Sequence, residues 1–441
     1  MTRPTVKISH DWVFPRAQRL ELATGLSVHA LHMPGQHLAV ATLLLPAPLA
    51  HEPKAHEGVA TLALHAADEA TASYPDGGFT AALEMLGAQL SGEVGERYTA
   101  FFLDLPVRHL RQAMSLLTEV VGQAQFHPHD LAHHTEQQLA ELAFQRQSPS
   151  ALATQALRSI MYSPADRRSR PTAGSPNTIA ALTQDSVIAW QQRLWRASAA
   201  ILVLVGDFTE TDLADSLAPL ESWAGLGQPP ATSEPPAAIA CTVLVDLPNA
   251  SQATLRIGQP TIGRTAPDWA ALRMAGHVLA GGFSSRLNLE LRERLGYTYG
   301  IGGGMSARST DGRFSIGANL SVAATADALH RIRQQLALAE PITEAEVSDA
   351  ATYLIGIGPL ANETAAGVAK QASSLLSAGM GLDYVDQHRA ELAAVTADAA
   401  TAALRRHVQP DQLCVAVVGP AAELAPALGE DVLVVTPEAL L

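Results

Sequence analysis

Apolar residues along this chain fall into two alternating rhythms. LELATGLSVHALHM, from Leu20, and HLAVATLLLP, from His37, are Leu/Val/Ala stretches bounded by Gly and Pro, a pattern that predicts two strands around a turn. From Gly58 to Ala70, GVATLALHAADEA places apolar residues three and four apart and predicts a helix. FTAALEMLGA then reads as a second helix, AQLSGEVGERYTAFFLDLP as paired strands, and HLRQAMSLLTEVVGQA as a third helix. The strands come as hairpins and meanders with helices clustered between them, so an α+β fold with a mainly antiparallel sheet fits better than a doubly wound parallel one.

The pattern also repeats. LTQDSVIAWQQRLWRASAAILVLVGD, from Leu182, matches VTADAATAALRRHVQPDQLCVAVVGP, from Val395, without a gap, so that Thr183 meets Thr396, Arg193 meets Arg406 and Gly206 meets Gly419 at a constant spacing of 213. Each copy is a Thr-capped helix followed by a buried strand ending in Gly. Such self-similarity marks a duplicated α/β unit. Between the copies, Gly225 to Ala238 (GLGQPPATSEPPAA) carries four prolines and no apolar period, the composition of an extended linker. We therefore expect two homologous domains, 1–227 and 239–441, joined by a Pro-rich segment at 228–238.

Composition narrows the function classes. Of 441 residues, 47% are hydrophobic and 16% charged, with Lys+Arg 29 against Asp+Glu 43 and a net charge of -14. Phosphate binding needs a basic stripe, so a nucleic-acid partner is disfavoured. The most apolar stretch, LAVATLLLPAPLA, is interrupted by two prolines and falls short of the ~20 residues that span a bilayer. MTRPTVKISHDW lacks the apolar core of a signal peptide. No membrane partner and a cytoplasmic location are expected. Cys241 and Cys414 both sit in apolar runs, which predicts buried strand residues in a reducing compartment.

Chemistry concentrates in two places. The first is the order strand pair, short linker with Glu52 and Glu57, then GVATLALH. It resembles the N-terminal domain of the pitrilysin/insulinase metallopeptidases, in particular the branch holding the mitochondrial processing peptidase and its bacterial relatives. In that family an inverted zinc motif, H-x-x-E-H, follows a G-[LV]-A lead; its two His ligate zinc and its Glu is the general base on zinc-bound water. Aligned on Gly58, Val59 and Ala60, the first His falls on Thr61, the Glu on Leu64 and the second His on His65. The family's third ligand falls on Glu141, 76 positions after His65. Two ligands do not hold a catalytic zinc, which takes three plus water, and leucine cannot accept a proton. The resemblance thus implies a degenerate, non-hydrolytic site at Thr61, Leu64, His65 and Glu141, with no cofactor in this chain. Asp68 and Glu69 are nearby carboxylates, one turn further along than Thr61. Read without the resemblance, His65 is a core histidine and Glu141 a surface one. A His cluster, HPHDLAHH from His127, spaces His129 and His133 four apart, but Pro128 and Asp130 mark it as an ordinary helix start.

The second place is Phe283 to Gly304, FSSRLNLELRERLGYTYGIGGG. It resembles the family's C-terminal signature, S-R-L followed by L-R-E-K-R-G-x-x-Y, whose Arg and Tyr reach the substrate backbone near the zinc. The pattern puts them at Arg292 and Tyr299, seven residues apart, with Tyr297 as the rival tyrosine. A guanidinium fork and a phenol can together hold a peptide carbonyl and the oxyanion forming on it. Read in isolation the two are a solvated helix charge and a strand residue. The Gly302 to Gly304 run lacks the G-K-[ST] ending of a phosphate loop and reads as a turn beside the substrate cleft.

In the two-subunit bacterial members, one chain carries the zinc motif and the other the Arg/Tyr pair. The resemblance implies that this chain forms half of a clam-shaped peptidase: a non-zinc subunit that grips short or unfolded peptides while a zinc-bearing homologous partner cuts them. A structural scaffold subunit and an active homodimer with irregular zinc ligands are the alternatives. Retention of Arg292 and Tyr299 weighs against the scaffold.

Overall fold

A computed structural model describes residues 12–223, 225 and 241–441. The expected linker at 228–238 lies outside the described residues. Two six-stranded sheets organise the molecule. The first holds β1 Ala17–Glu21, β2 Ser27–His32, β3 Leu38–Leu45, β4 Gln89–Val94, β5 Thr99–Pro106 and β6 Ile201–Gly206, in the order β1-β2-β6-β3-β5-β4. The second holds β7 Thr242–Asp246, β8 Ala253–Ile262, β9 Thr298–Ala307, β10 Asp311–Leu320, β11 Cys414–Gly419 and β12 Leu433–Val435, in the order β12-β7-β11-β8-β10-β9. Neighbours are antiparallel except β2–β6, β7–β11 and β7–β12. Mainly antiparallel α+β domains are therefore what the chain builds.

The helices of the first half are α1 Val59–His65, α2 Gly78–Leu86, α3 Leu110–Gln123, α4 Pro128–Gln145, α5 Pro149–Met161, α6 Pro176–Ala180, α7 Gln184–Leu194 and α8 Leu213–Leu217. Those of the second are α9 Trp269–Gly276, α10 Thr325–Leu336, α11 Glu344–Ala361, α12 Ala365–Ser377, α13 Tyr384–Ala393, α14 Ala397–His407 and α15 Ala421–Leu428. The repeat seen in sequence is a repeat in space. Thr183 caps α7 by accepting from the Ser186 N–H, Thr396 caps α14 by accepting from the Ala399 N–H, and β6 and β11 occupy equivalent places in the two sheets.

One face of each sheet is covered by helices of its own half. Leu62, Phe79, Leu117 and Trp190 pack into the first core, and Leu272, Leu291, Ile332 and Leu404 into the second. The opposite faces are covered by exchange. α5, from the first half, lays Leu152, Ala156, Leu157 and Ile160 on Val243, Val245, Ala416 and Val418 of the second sheet. α12, from the second half, lays Val368, Ala369, Ala372 and Leu376 on Leu31, Leu44, Val203 and Val205 of the first. This explains why β6 and β11 read as unbroken apolar runs: strands covered on both faces need no polar alternation. Each fully buried aliphatic side chain contributes about 1.5–3 kcal/mol, so the two exchanged helices bind the halves into one body. Gly258 of β8 lets α5 approach, since a Cβ there would stand 2.5 Å from Met161 Sδ.

Four expectations need correction. The Gly302 to Gly304 run, expected as a turn, lies within strand β9, where it pairs with Ser315 to Gly317 of β10. The segment from Leu20 to Met33 is not one strand: it holds the end of β1 and the whole of β2, because Gly25 at φ 80 closes a turn between them. The helix expected over Gly58–Ala70 stops at His65. Beyond it, the Gln125 N–H donates to Ala70 O and Thr71 bridges Ala124, so pairing with the segment after α3 draws the chain off the helix axis. Cys241 is exposed just before β7; Cys414 is buried, and burial pushes its thiol up to about 11. Among the described residues no helix is long and apolar enough to cross a membrane.

Candidate functional site

α1 starts from a heavily anchored point. Gly58 sits at φ 99, and the buried Glu52 carboxylate accepts from the N–H groups of Gly58 and Ala60, both at 3.0 Å. Arg167 clamps the other oxygen of Glu52 at 2.7–2.8 Å, Arg170 does the same for Glu57, and Gln138 of α4 donates to Gly58 O and Ala173 O. Burial, opposed by Arg167 and the two backbone donors, pushes the Glu52 carboxyl above its ordinary range. Acidic residues that the sequence shows only as a linker thus position the helix.

The residues on that helix are set for packing. Leu64 is 5% exposed and lies against β4, where a Cβ on Gly92 would stand 2.6 Å from its Cδ1. Thr61 is half-buried, and its hydroxyl has no hydrogen-bond partner among the described residues. His65 is exposed and faces His134 of α4, ring centroids 6.3 Å apart. Burial of part of its ring, then His134, push the His65 imidazole below its ordinary value. His134 Nε2 lies 2.7 Å from Glu69 Oε1. Glu141 is exposed and accepts from Gln145 at 3.0 Å, so it does not pair with His65. Glu69 is likewise engaged, and burial pushes the Asp68 carboxyl up. Within the His cluster, His129 lies 3.2 Å from Asp130 while His133 meets Gln137 at 2.8 Å, so the two do not form a pair. The donor set that zinc requires is not assembled: among the described residues no three His, Cys, Asp or Glu are arranged to hold a metal.

The second constellation is built differently. α9 runs on as a π-helical turn, His277–Gly281, and a second π-helical segment, Asn288–Arg294, leads into β9. Such wide turns recur at functional sites. Buried Asn288 holds the turn between them: its amide donates to Gly282 O, Ser285 Oγ and Ile301 O, and its carbonyl accepts from the Ile301 N–H. Arg286, the Arg of the S-R-L signature, binds both oxygens of Glu346 on α11 at 2.6–2.7 Å and the carbonyls of Glu340 and Pro341. Neither Asn288 nor Arg286 stood out as a site residue in the sequence: the partners of Arg286 lie 54 to 60 residues away, and those of Asn288, 3 to 13 away, are mostly backbone groups that leave no side-chain pattern.

Arg292 projects from the π-helical segment, its guanidinium 4.2 Å from the centroid of the 71% exposed Phe283 ring and 3.5 Å from Glu293. Tyr299 is 91% exposed on β9, the outermost strand of its sheet. The rival tyrosine is committed elsewhere: Tyr297 donates to Asp327 at 2.9 Å, an oxygen that Arg331 also holds. Past Tyr299, a Cβ on Gly300, Gly302 or Gly304 would meet nothing within 4 Å. Open space over a glycine-rich edge strand allows another backbone to approach closely.

Comparison with known proteins agrees with this architecture. The first half, residues 28–173, matches the model of insulinase (peptidase family M16), and residues 181–354 match that of the peptidase M16 inactive domain. An uncharacterized zinc protease of Streptomyces coelicolor is 24% identical over 351 residues, 77% of this chain and 76% of that protein. One from Rickettsia felis is 21% identical over 297 residues, 67% and 71% of the two. Among solved structures, a peptidase M16 inactive domain from Pseudomonas fluorescens superposes with TM-score 0.84 at 25% identity, covering 92% of this chain and 98% of that one. A protease from Helicobacter pylori gives TM-score 0.83 at 16% identity, over 92% and 100%. With Thr61 and Leu64 where the zinc motif should be, the chain belongs to the insulinase (M16) peptidase family as a member that lacks that motif.

Proposed function

We propose that this chain is the non-zinc subunit of a heterodimeric zinc metallopeptidase. It binds short or unfolded peptides and lends Arg292 and Tyr299 to a scissile carbonyl held at the zinc of a homologous partner. The observation that carries the reading is the contrast between the two tyrosines. Tyr297 is tied to Asp327, whereas Tyr299 is 91% exposed on an open edge beside uncovered glycines, and among the described residues Arg292 makes only a ring contact and a long ion pair through its side chain. Directional donors left uncommitted at an accessible strand are what an oxyanion needs, because stabilisation there depends on groups already in place when charge develops. The edge strand offers main-chain hydrogen bonds to an extended peptide, which gives affinity with little sequence preference.

Steady-state kinetics on the complex reconstituted with a zinc-bearing homologue tests the reading. Arg292→Ala and Tyr299→Phe should each lower turnover by about 10²–10³ without disturbing assembly. Because both serve one oxyanion, the double variant should resemble the worse single. Tyr297→Phe should be nearly silent. Full activity in Arg292→Ala would remove the pair from the mechanism. The chain purified alone should contain no stoichiometric zinc and cleave no peptide; elemental analysis returning one zinc per chain, lost in His65→Ala, would favour a homodimeric peptidase instead.

A further inference from the structure

Arg256 of β8, Gly317 of β10 and Gly302 of β9 stand level across the second sheet, since the register pairs Arg256 with Gly317 and Gly317 with Gly302. They share the face that α5 covers in part, because their strand neighbours Leu255, Ile316 and Ile301 point into the opposite core. A Cβ on Gly317 would stand 2.9 Å from Arg256 Nη1 and 3.1 Å from its Cδ. The guanidinium therefore lies flat on bare backbone and reaches toward the open edge at β9. Over this floor is a cavity of about 450 Å³, whose side-chain walls are Leu157, Arg256, Ser315 and Asn319.

Arg256 donates to Ser150 Oγ at 3.0 Å and to Leu255 O at 2.9 Å, and no described carboxylate pairs with it. Arg167, Arg286 and Arg308 each hold a carboxylate, whereas Arg256, like Arg158, Arg264 and Arg405, hydrogen-bonds only carbonyl or hydroxyl oxygens, and of these four it alone lines the glycine-floored cavity. A guanidinium offers five donors in a fixed fork that matches a carboxylate. A partly buried cation facing the open space over Gly300 and Gly302, where a Cβ would meet nothing within 4 Å, leaves room for an anion brought from outside.

We propose that this glycine-floored cavity binds a carboxylate of the peptide, either its C-terminus or an acidic side chain, and that Arg256 selects for it. The proposal rests on the peptide-binding reading above. Binding of fluorescein-labelled, unstructured ten-residue peptides to the full-length chain, followed by anisotropy, tests it. One pair differs only in a free or amidated C-terminus, and a second, amidated pair differs only in one internal Glu or Gln.

At least one acidic member should bind roughly tenfold tighter than its neutral counterpart, as expected for a charge-assisted hydrogen bond. The pair that shows the preference identifies the source of the carboxylate. Arg256→Met, which keeps the stem, should abolish the preference, and Arg256→Lys should restore part of it. Gly302→Leu, whose side chain enters open space, should weaken binding of the acidic member while leaving thermal unfolding unchanged. Equal binding of acid and neutral peptides by the parent chain, or a preference that survives Arg256→Met or Gly302→Leu, overturns the proposal while leaving the peptide-binding reading intact. If none of the four peptides binds the parent chain, that reading fails and this proposal with it.

Discussion

Leu64 stands where the family's general base belongs, and it has become a core residue. It is 5% exposed and pressed on the bare backbone at Gly92. Truncation at such a place loses transfer energy and leaves a cavity, so Leu64→Ala should cost about 2–4 kcal/mol by chemical denaturation. A loss below ~0.5 kcal/mol would mean the pocket collapses freely or Leu64 packs loosely. Glu346 offers a second measurement at this scale. Arg286 and the Thr343 cap hold its carboxyl down to about 2, against an ordinary 4.5. A folded value below the unfolded one means the stability it contributes is complete above pH 4.5 and is lost as the pH falls toward 2. Thermal unfolding followed across that window should fall more steeply for the parent chain than for Glu346→Gln; parallel curves would show that the pair does not couple to folding. A family motif fixes spacing and so singles out residues such as Arg292 and Tyr299 in the sequence, but it says nothing of what else each residue touches. Contacts were illegible where the partner is remote, as with Tyr297 and Asp327, 30 residues apart, or Arg286 and Glu346, 60 apart.

At the scale of elements, the periodicity of the chain located α2, α3, β4 and β5 closely, because each is long enough for its rhythm to exceed the noise of single residues. It overran α1, whose end is set by a bridge from Thr71 to Ala124 rather than by any local stop signal. It was silent on the exchange of α5 and α12. An amphipathic helix shows which of its faces is apolar, but not which sheet that face will cover. The exchange can be probed at Gly258, where α5 comes closest: Gly258→Val should force Met161 and Leu157 aside and destabilise the chain by about 1–3 kcal/mol, the usual cost of overpacking. The same substitution at Gly302, over open space, should cost far less. Equal losses at the two positions, read from denaturant midpoints, would argue that strand propensity and not helix contact governs both.

For the whole molecule, the repeat at a spacing of 213 announced two copies of one unit, and the two sheets with matching strand order bear that out. The clefts did not follow from the repeat, because each copy completes its partner. The halves should therefore be inseparable in folding though separable in chain. Cleaving or splitting the polypeptide between residues 225 and 241 should yield two fragments that co-purify when expressed together, whereas either fragment expressed alone should be insoluble, its sheet deprived of the helix that covers it. Two fragments that each remain soluble and monomeric would show that the exchanged helices are dispensable. The reciprocal exchange also has a mechanical consequence. With each half pinned by a helix of the other, the described residues offer no soft joint about which the two sheets could swing apart. If the chain works against a homologous partner as proposed, a gape wide enough to admit a peptide is a displacement of this chain as a stiff lever against that second body, and the compliance that governs substrate entry resides in the contact between chains.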